Sequence, residues 1–237
     1  MSRALLLPAA RFEIASLGEL VGEPSRVAML LALLDGSARP ATELADLAGV
    51  TRATASSHLR RLREGGLLSV EPRGRHRYFR LAGEGVADLI ETLALAGPRG
   101  RTRPSARDPA RQALERARTC YRHLAGRLGV ACYEALERQR LLSLEGGGLR
   151  LTRRGQARFE ALGLKVARWP SGKACLDWTE RRSHLGGALG TLVSQHLFDL
   201  GWIARRKDGN GRAVEVTPLG RCELVRQLAL PEAALEP

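Results

Sequence analysis

The chain has 237 residues, 44% of them hydrophobic and 27% charged, which is apolar material for one large or two small cores and too much for disorder throughout. Its formal net charge of +13 calls for a polyanionic partner, nucleic acid or an acidic membrane surface, without specifying a fold. The longest apolar run, VAMLLALL at 27–34, falls well short of the roughly 20 residues that span a bilayer, and the opening MSRALLLPAARFE lacks the hydrophobic core and cleavage site of a secretion signal. A cytoplasmic protein with no membrane partner is expected. Cys120, Cys132, Cys175 and Cys222 have no short paired spacing and are expected to be free thiols.

In chain order, residues 9–35 read as two helices. Phe12, Ile14, Leu17, Leu20 and Val21 give one apolar stripe, and Val27, Leu30, Leu31 and Leu34 the next, with Gly22 and Pro24 between them. A short third helix starts at Thr42, with Leu44, Leu47 and Ala48 inward, and stops at Gly49. Thr51 is the expected N-cap of a fourth helix whose buried stripe is Ala55, Leu59 and Leu62 and which ends at Gly65-Gly66. The segments LLSV at 67–70 and RYFRL at 77–81 read as a hairpin with the basic tip EPRGRH, followed by a helix over 84–96. This is the order of a winged helix-turn-helix domain.

The stretch GPRGRTRPSARDP has three prolines and no periodicity and reads as a linker. Beyond it, Leu114, Ala117, Tyr121, Leu124 and Leu128 predict a helix over 110–127. A weak internal repeat, a strand, then Thr or a small residue, a two-residue gap, Gly and a helix, occurs as RYFRLAGEGVADLI, LRLTRRGQARFEAL and AVEVTPLGRCELVRQL. Winged-helix-like units are therefore expected after residue 110, with SHLGGALGTLVSQHLFDLGW as a helix and a hairpin turning at Asp208 to Gly211. The fold class is mainly α with small β-hairpins (α+β). The expected domains are 1–97 for DNA binding and dimerisation, 98–109 as basic linker, and 110–237 for sensing or regulation.

Charge is concentrated where the fourth helix and hairpin lie: eight arginines at 52, 60, 61, 63, 73, 75, 77 and 80 face only Glu64 and Glu71. The fourth helix presents Thr51, Arg52, Thr54, Ser56, Ser57, His58 and Arg61 around its apolar stripe. Small hydroxyl side chains allow close approach, and Ser, Thr, His and Arg bond base edges or phosphates. Arg73, Arg75, His76 and Arg77 on the hairpin suit phosphates or an adjacent minor groove. A Ser/Thr-rich helix start also serves simple capping, and a charge run a solvated face; the two features in this order favour double-stranded DNA as the partner.

The segment ELADLAGVTRATASSHLRRLREGGLLSVEPRGRHRYFRL resembles the ArsR/SmtB family of bacterial winged-helix repressors, with Thr54, Ser56, His58, Leu59, Leu62, Gly66 and Leu67 at the motif positions. The resemblance implies a homodimer joined through the first and fifth helices, bound to an inverted repeat and repressing until an effector is sensed. It departs from the family's metal sites: the third helix, TELADLA, and the fourth hold no cysteine, and EGVADLIETLALAG offers Asp88 and Glu91 without histidine. Any sensing is thus expected in the appended region, where ARTCYRHLAGRLGV and ACLDWTERRSHLGGALG resemble the extension of long ArsR-like proteins.

On the expected helix, Cys120 and His123 lie three apart and share a face. With Cys175 or His184 they make candidate ligands for a soft or borderline divalent metal of the zinc, cadmium or lead class, although Cys120 also adjoins an apolar stripe and suits plain core packing. His196 falls on an apolar face and reads as a hydrogen-bonded core histidine. Asp177, Trp178, Glu180, Arg181 and Arg182 fit either a small-molecule pocket or a cap and interdomain salt-bridge cluster. No nucleotide loop, metalloprotease histidine pair or nucleophile elbow is present, so an enzyme is not expected. The main alternative is an architectural DNA binder gripping phosphates through Arg99, Arg101, Arg103 and Arg107.

Overall fold

The computed structural model describes residues 7–74, 76–96, 109–206 and 212–236, with the side chains of 7–12 and 76 outside that description. The linker arginines and the turn at 208–211 lie outside the described residues. The chain divides into two units, 1–90 and 91–237, the division falling within the helix over 84–96.

The first unit runs α1 (Leu7–Val21), α2 (Pro24–Ala32), β1 (Arg39–Pro40), α3 (Ala41–Ala48), α4 (Arg52–Glu64), β2 (Leu68–Arg73), β3 (His76–Leu81) and the start of α5 (Glu84–Ala96). Pro24 sits at the start of α2, where a missing N–H costs nothing, and the Glu23 carboxylate accepts from Ser25 and Arg26 N–H. Gly49, left-handed at φ 64°, ends α3 and lets the chain turn into α4. The strands pair antiparallel in the order β1-β3-β2, with Arg39 opposite Phe79 and Leu68 opposite Leu81. Met29, Leu30, Leu44, Ala55, Leu59, Leu62 and Leu81 close one core, as a winged helix-turn-helix requires. Two expectations change. Leu47 is 42% exposed, its inward place on α3 taken by Ala45, and Ile14 on α1 is 69% exposed.

In the second unit, α6 (Pro109–Arg116) leads into β4 (Arg118–Cys120), β5 (His123–Ala125), α7 (Gly126–Arg138), β6 (Leu142–Glu145), β7 (Gly148–Leu151) and α8 (Arg153–Ala161). The same series then recurs as β8 (Lys173–Leu176), β9 (Ser183–Gly186), α9 (Gly187–Asp199), β10 (Ile203–Arg205), β11 (Val214–Val216) and α10 (Pro218–Leu228). Hairpin, helix, hairpin, helix occurs twice. The Thr-x-x-Gly pattern marks the same joint in both copies: Thr152 and Thr217 cap α8 and α10 by accepting from Gly155 and Gly220 N–H. Each glycine lets its helix meet a backbone carbonyl, since a Cβ would stand 2.3 Å from Leu141 O at Gly155 and 1.8 Å from Trp202 O at Gly220.

Equivalent bonds also join the copies to each other. Leu149 N–H donates to Gly172 O and Val214 N–H to Ala117 O, both at 2.9 Å. The first helix of each copy backs onto the histidine of the other: a Cβ on Gly129 would stand 3.6 Å from the Cβ of His184, and one on Gly190 would stand 3.2 Å from that of His123. Leu128, Leu136, Phe159, Leu189, Leu197 and Leu224 fill the shared core.

The predicted helix over 110–127 is corrected. It ends at Arg116 and gives way to a hairpin turning on Tyr121 and Arg122, with Tyr121 left-handed at φ 57°, a conformation no helix accommodates. Likewise Ser183–Gly186 is strand, and α9 begins only at Gly187.

Candidate nucleic-acid interface and cysteine-histidine cluster

The fourth helix is fixed from within by Ala55, Leu59 and Leu62, each at most 1% exposed. Thr51 Oγ1 accepts from Thr54 N–H at 3.2 Å, satisfying one free donor of the first turn. Arg52, Thr54, Ser56, Ser57 and Arg61 stand exposed. The hydroxyls of Thr51 and Thr54 lie 2.9 Å apart, and Ser56 Oγ donates to Arg52 O, so these groups are held close to the helix.

His58 is placed differently from its neighbours. Its ring nitrogens face Arg26 Nη1 and Glu23 Oε2, each at 3.4 Å, and its side chain is 15% exposed. Arg26 is itself buried and donates to Glu19 O and Leu20 O at the end of α1. His58 thus ties α4 to the junction of α1 and α2, and its place on the open reading face is corrected.

On the hairpin, Glu71 pairs with both Arg73 and Arg80, and Arg73 lies 5.2 Å from the centre of the Tyr78 ring. Arg77 is exposed. Arg75 lies outside the described residues, as does the side chain of His76. A cleft of about 360 Å³ opens where α3, α4 and β3 meet, its floor Pro40, Leu59 and Phe79 and its rim Thr42, Ser56, Arg60, Arg63 and Arg77. Arg60 and Arg63 were counted in the basic patch of the sequence but not among its candidate DNA contacts. Their i, i+3 spacing beside Arg77 puts three cations around one cleft, a setting that suits an anion.

In the second unit, Cys120 and His123 form one cross-strand pair of the β4–β5 hairpin, and Cys175 and His184 form the equivalent pair of β8–β9. The donor atoms of these four side chains lie within 4.8 Å of one another. His123 Nε2 faces His184 Nε2 at 3.1 Å. Cys120 and His123 are each 1% exposed and His184 is fully buried. The neighbouring Cys175 thiol, with burial, pushes Cys120 up, while Cys175 is held down by Cys120 and by both histidines. Cys120 and His123 are therefore neighbours across two strands, not along a helix as expected.

Behind this cluster sits Asp177, fully buried in the six-residue turn of β8–β9. Its Oδ1 accepts from Arg118, Thr179 and Glu180, and its Oδ2 accepts from Gly126 N–H at the start of α7. Burial opposes its charge, but Arg118 and these donors outweigh it and hold the carboxyl well below the usual carboxylate range. His184 Nδ1 stands 3.5 Å from Oδ2, without a hydrogen bond. Arg118 lies 4.9 Å from the centre of the Trp178 ring. The turn is thus a cap and salt-bridge cluster internal to the second unit, which corrects the interdomain reading. His196 Nε2 donates to Leu162 O at 3.1 Å as a core histidine. Cys132 is buried in the apolar core, which pushes its thiol up to about 12.

A family model described as a helix-turn-helix domain matches residues 21–71. YdfF of Bacillus subtilis, an uncharacterized helix-turn-helix-type transcriptional regulator, is 37% identical over 220 residues, spanning 91% of this chain and 96% of its own. The chain belongs to the ArsR-like winged helix-turn-helix transcriptional regulators. It is a DNA-binding regulator. This ArsR-like chain is also 39% identical over 80 residues to the transcriptional regulator CmtR of Mycobacterium tuberculosis, covering 34% of itself and 67% of CmtR. A solution structure from Mycobacterium bovis, the homodimeric winged helix-turn-helix DNA-binding domain of a possible ArsR-family regulator, is 28% identical, covers 40% of this chain and 88% of that one, and superposes with a TM-score of 0.36. The YdfF match extends through both repeats of the ArsR-like chain, so the second unit is part of what the two proteins share. Among the described residues, no helix is long and apolar enough to cross a membrane.

Proposed function

We propose that the protein is a homodimeric repressor that reads an inverted repeat with α4 and is released by an effector taken up in the second unit. The observation that carries this reading is the exposed, capped start of α4. Arg52, Thr54 and Ser57 meet base edges in the major groove, while Arg60, Arg63 and Arg77 clasp phosphate around their cleft. Two features support a dimer. A single helix start spans too few base pairs to select one site, and large apolar side chains on both α1 and α5, Ile14 and Leu93, are exposed at 69% and 41%. The effector reading rests on the buried cysteine-histidine cluster, because among the described residues α3, α4 and α5 hold no cysteine.

A selection of random duplexes with the purified full chain tests the proposal. Recovery of a two-half-site inverted repeat, with half-sites about one helical turn apart, is the expected result. Recovery of duplexes with no common sequence would sink the specific repressor and favour phosphate-only, architectural binding.

A further inference from the structure

We propose that Cys120, His123, Cys175 and His184 bind one divalent metal ion of the zinc class in a closed tetrahedral shell, half of it supplied by each repeat. This names the chemistry of the effector site in the preceding reading and rests on that reading for its regulatory consequence alone.

Four donor atoms within 4.8 Å of one another lie within about 1 Å of the spacing of a tetrahedron. Bonds of about 2.0–2.1 Å to nitrogen and about 2.3 Å to sulfur put ligand atoms roughly 3.3–3.8 Å apart. The Nε2 atoms of His123 and His184, 3.1 Å apart, need little movement to reach that separation.

Plain core packing accounts poorly for the same geometry. A thiol used as a small hydrophobe sits among apolar side chains, as Cys132 does, whereas the Cys120 sulfur lies within 4.8 Å of the Cys175 sulfur and of a nitrogen of each imidazole. Two imidazoles meeting nitrogen to nitrogen in the interior must divide one proton between them, and a cation placed there bonds both. The donor set then decides the ion. Two sulfurs and two imidazole nitrogens suit zinc or cadmium and reject magnesium and calcium, which take oxygen.

The surroundings are those of a ligand shell. Asp177, fixed by Arg118 and the first N–H of α7, stands 3.5 Å behind His184 Nδ1 and leaves Nε2 for the ion; a closer approach of a few tenths of an ångström would make the carboxylate-histidine hydrogen bond that sets the tautomer and ring orientation of a metal ligand. Gly186 brings the backbone against the cluster, since a Cβ there would stand 2.9 Å from the Cβ of Cys175 and 3.3 Å from His123 Nε2. With both histidines backed by glycine helices, four protein ligands close the site.

The test uses the full chain, purified under reducing conditions and loaded separately with zinc and with cobalt(II). One zinc per chain by elemental analysis is expected, and the cobalt form should show the strong visible bands of tetrahedral coordination with sulfur-to-cobalt charge transfer in the near ultraviolet. Cys120→Ser and Cys175→Ser should each weaken metal binding by more than the roughly 10–100-fold that an outer-shell change costs, while Cys222→Ser, at an exposed cysteine, leaves it unchanged. Wild-type protein that takes up no metal overturns the proposal, as does an octahedral cobalt spectrum or equal metal content in wild type and the Cys120→Ser, Cys175→Ser double variant. The cobalt spectrum of the wild type distinguishes these outcomes even if the variants fail to fold. DNA affinity with and without zinc is a separate reading: a metal that binds as described without changing that affinity supports the site and overturns its effector role.

Discussion

In the first unit the polar side chains that matter stand in solvent on one face of α4, whereas in the second they are turned inward by two hairpins. A hydroxyl on an exposed helix is satisfied by water until DNA replaces it, so the first unit needs only a rigid support of Ala55, Leu59 and Leu62 beneath it. A thiol, two imidazoles and a carboxylate in the interior have no such default. They must be matched to one another, and Arg118, Thr179 and the glycine-backed helices accomplish that matching. Exposure leaves α4 free to meet a partner, and burial commits the cluster to a defined set of contacts.

The sharpest way to break this contrast is Arg118→Met, which strands Asp177 as a buried, uncompensated charge and should cost about 3–5 kcal/mol. Hydrogen exchange should show lost protection across β4, β5 and α7 with α4 unaffected; equal loss in α4 would mean that the two units are not separate in stability. Next in size, Arg52→Ala combined with Ser57→Ala should remove about 1–3 kcal/mol of binding to the selected DNA, without moving the thermal midpoint. A lowered midpoint would show these side chains to be structural. The caps offer a like-for-like comparison, because Thr51 and Thr217 each accept from an N–H three residues on. Replacing either by Ala should cost about 1 kcal/mol in its own unit, measured by denaturant unfolding. Smallest, Arg77→Ala should weaken binding to all duplexes alike and lower the salt slope by about one; a selective loss at one base pair would move Arg77 from phosphate to base.

The first unit was legible because its signals are local. The Thr51 cap, the three-residue apolar stripe and the paired glycines fix α4 between residues 51 and 66, and the structure reproduces each of them. What periodicity misjudged is His58, since spacing along a helix says nothing of Arg26 and Glu23 approaching from α2. In the second unit, Ala117, Leu124 and Leu128 are all buried as expected, but from the end of a helix, a strand and a second helix. Their heptad-like spacing was a coincidence. The separation of Cys120 from His123 was read on the same mistaken helix, yet three residues apart is also the spacing of cross-strand partners around a two-residue turn. The eight residues between Cys175 and His184 carry no such signal, because the length of a turn is not periodic. The Thr-x-x-Gly recurrence was visible and physical: it is the point where a helix meets a carbonyl too closely for any side chain.

The unequal turns of the two hairpins have one more consequence. The second unit is arranged as an isologous dimer folded into one polypeptide, its halves exchanging equivalent contacts as identical subunits would. Identical subunits must carry identical turns, and so either two buried aspartates or none. Joined in a single chain, the halves are released from that constraint. One keeps the tight turn at Tyr121 and Arg122, and the other has lengthened to hold Asp177, giving an otherwise twofold centre a front and a back.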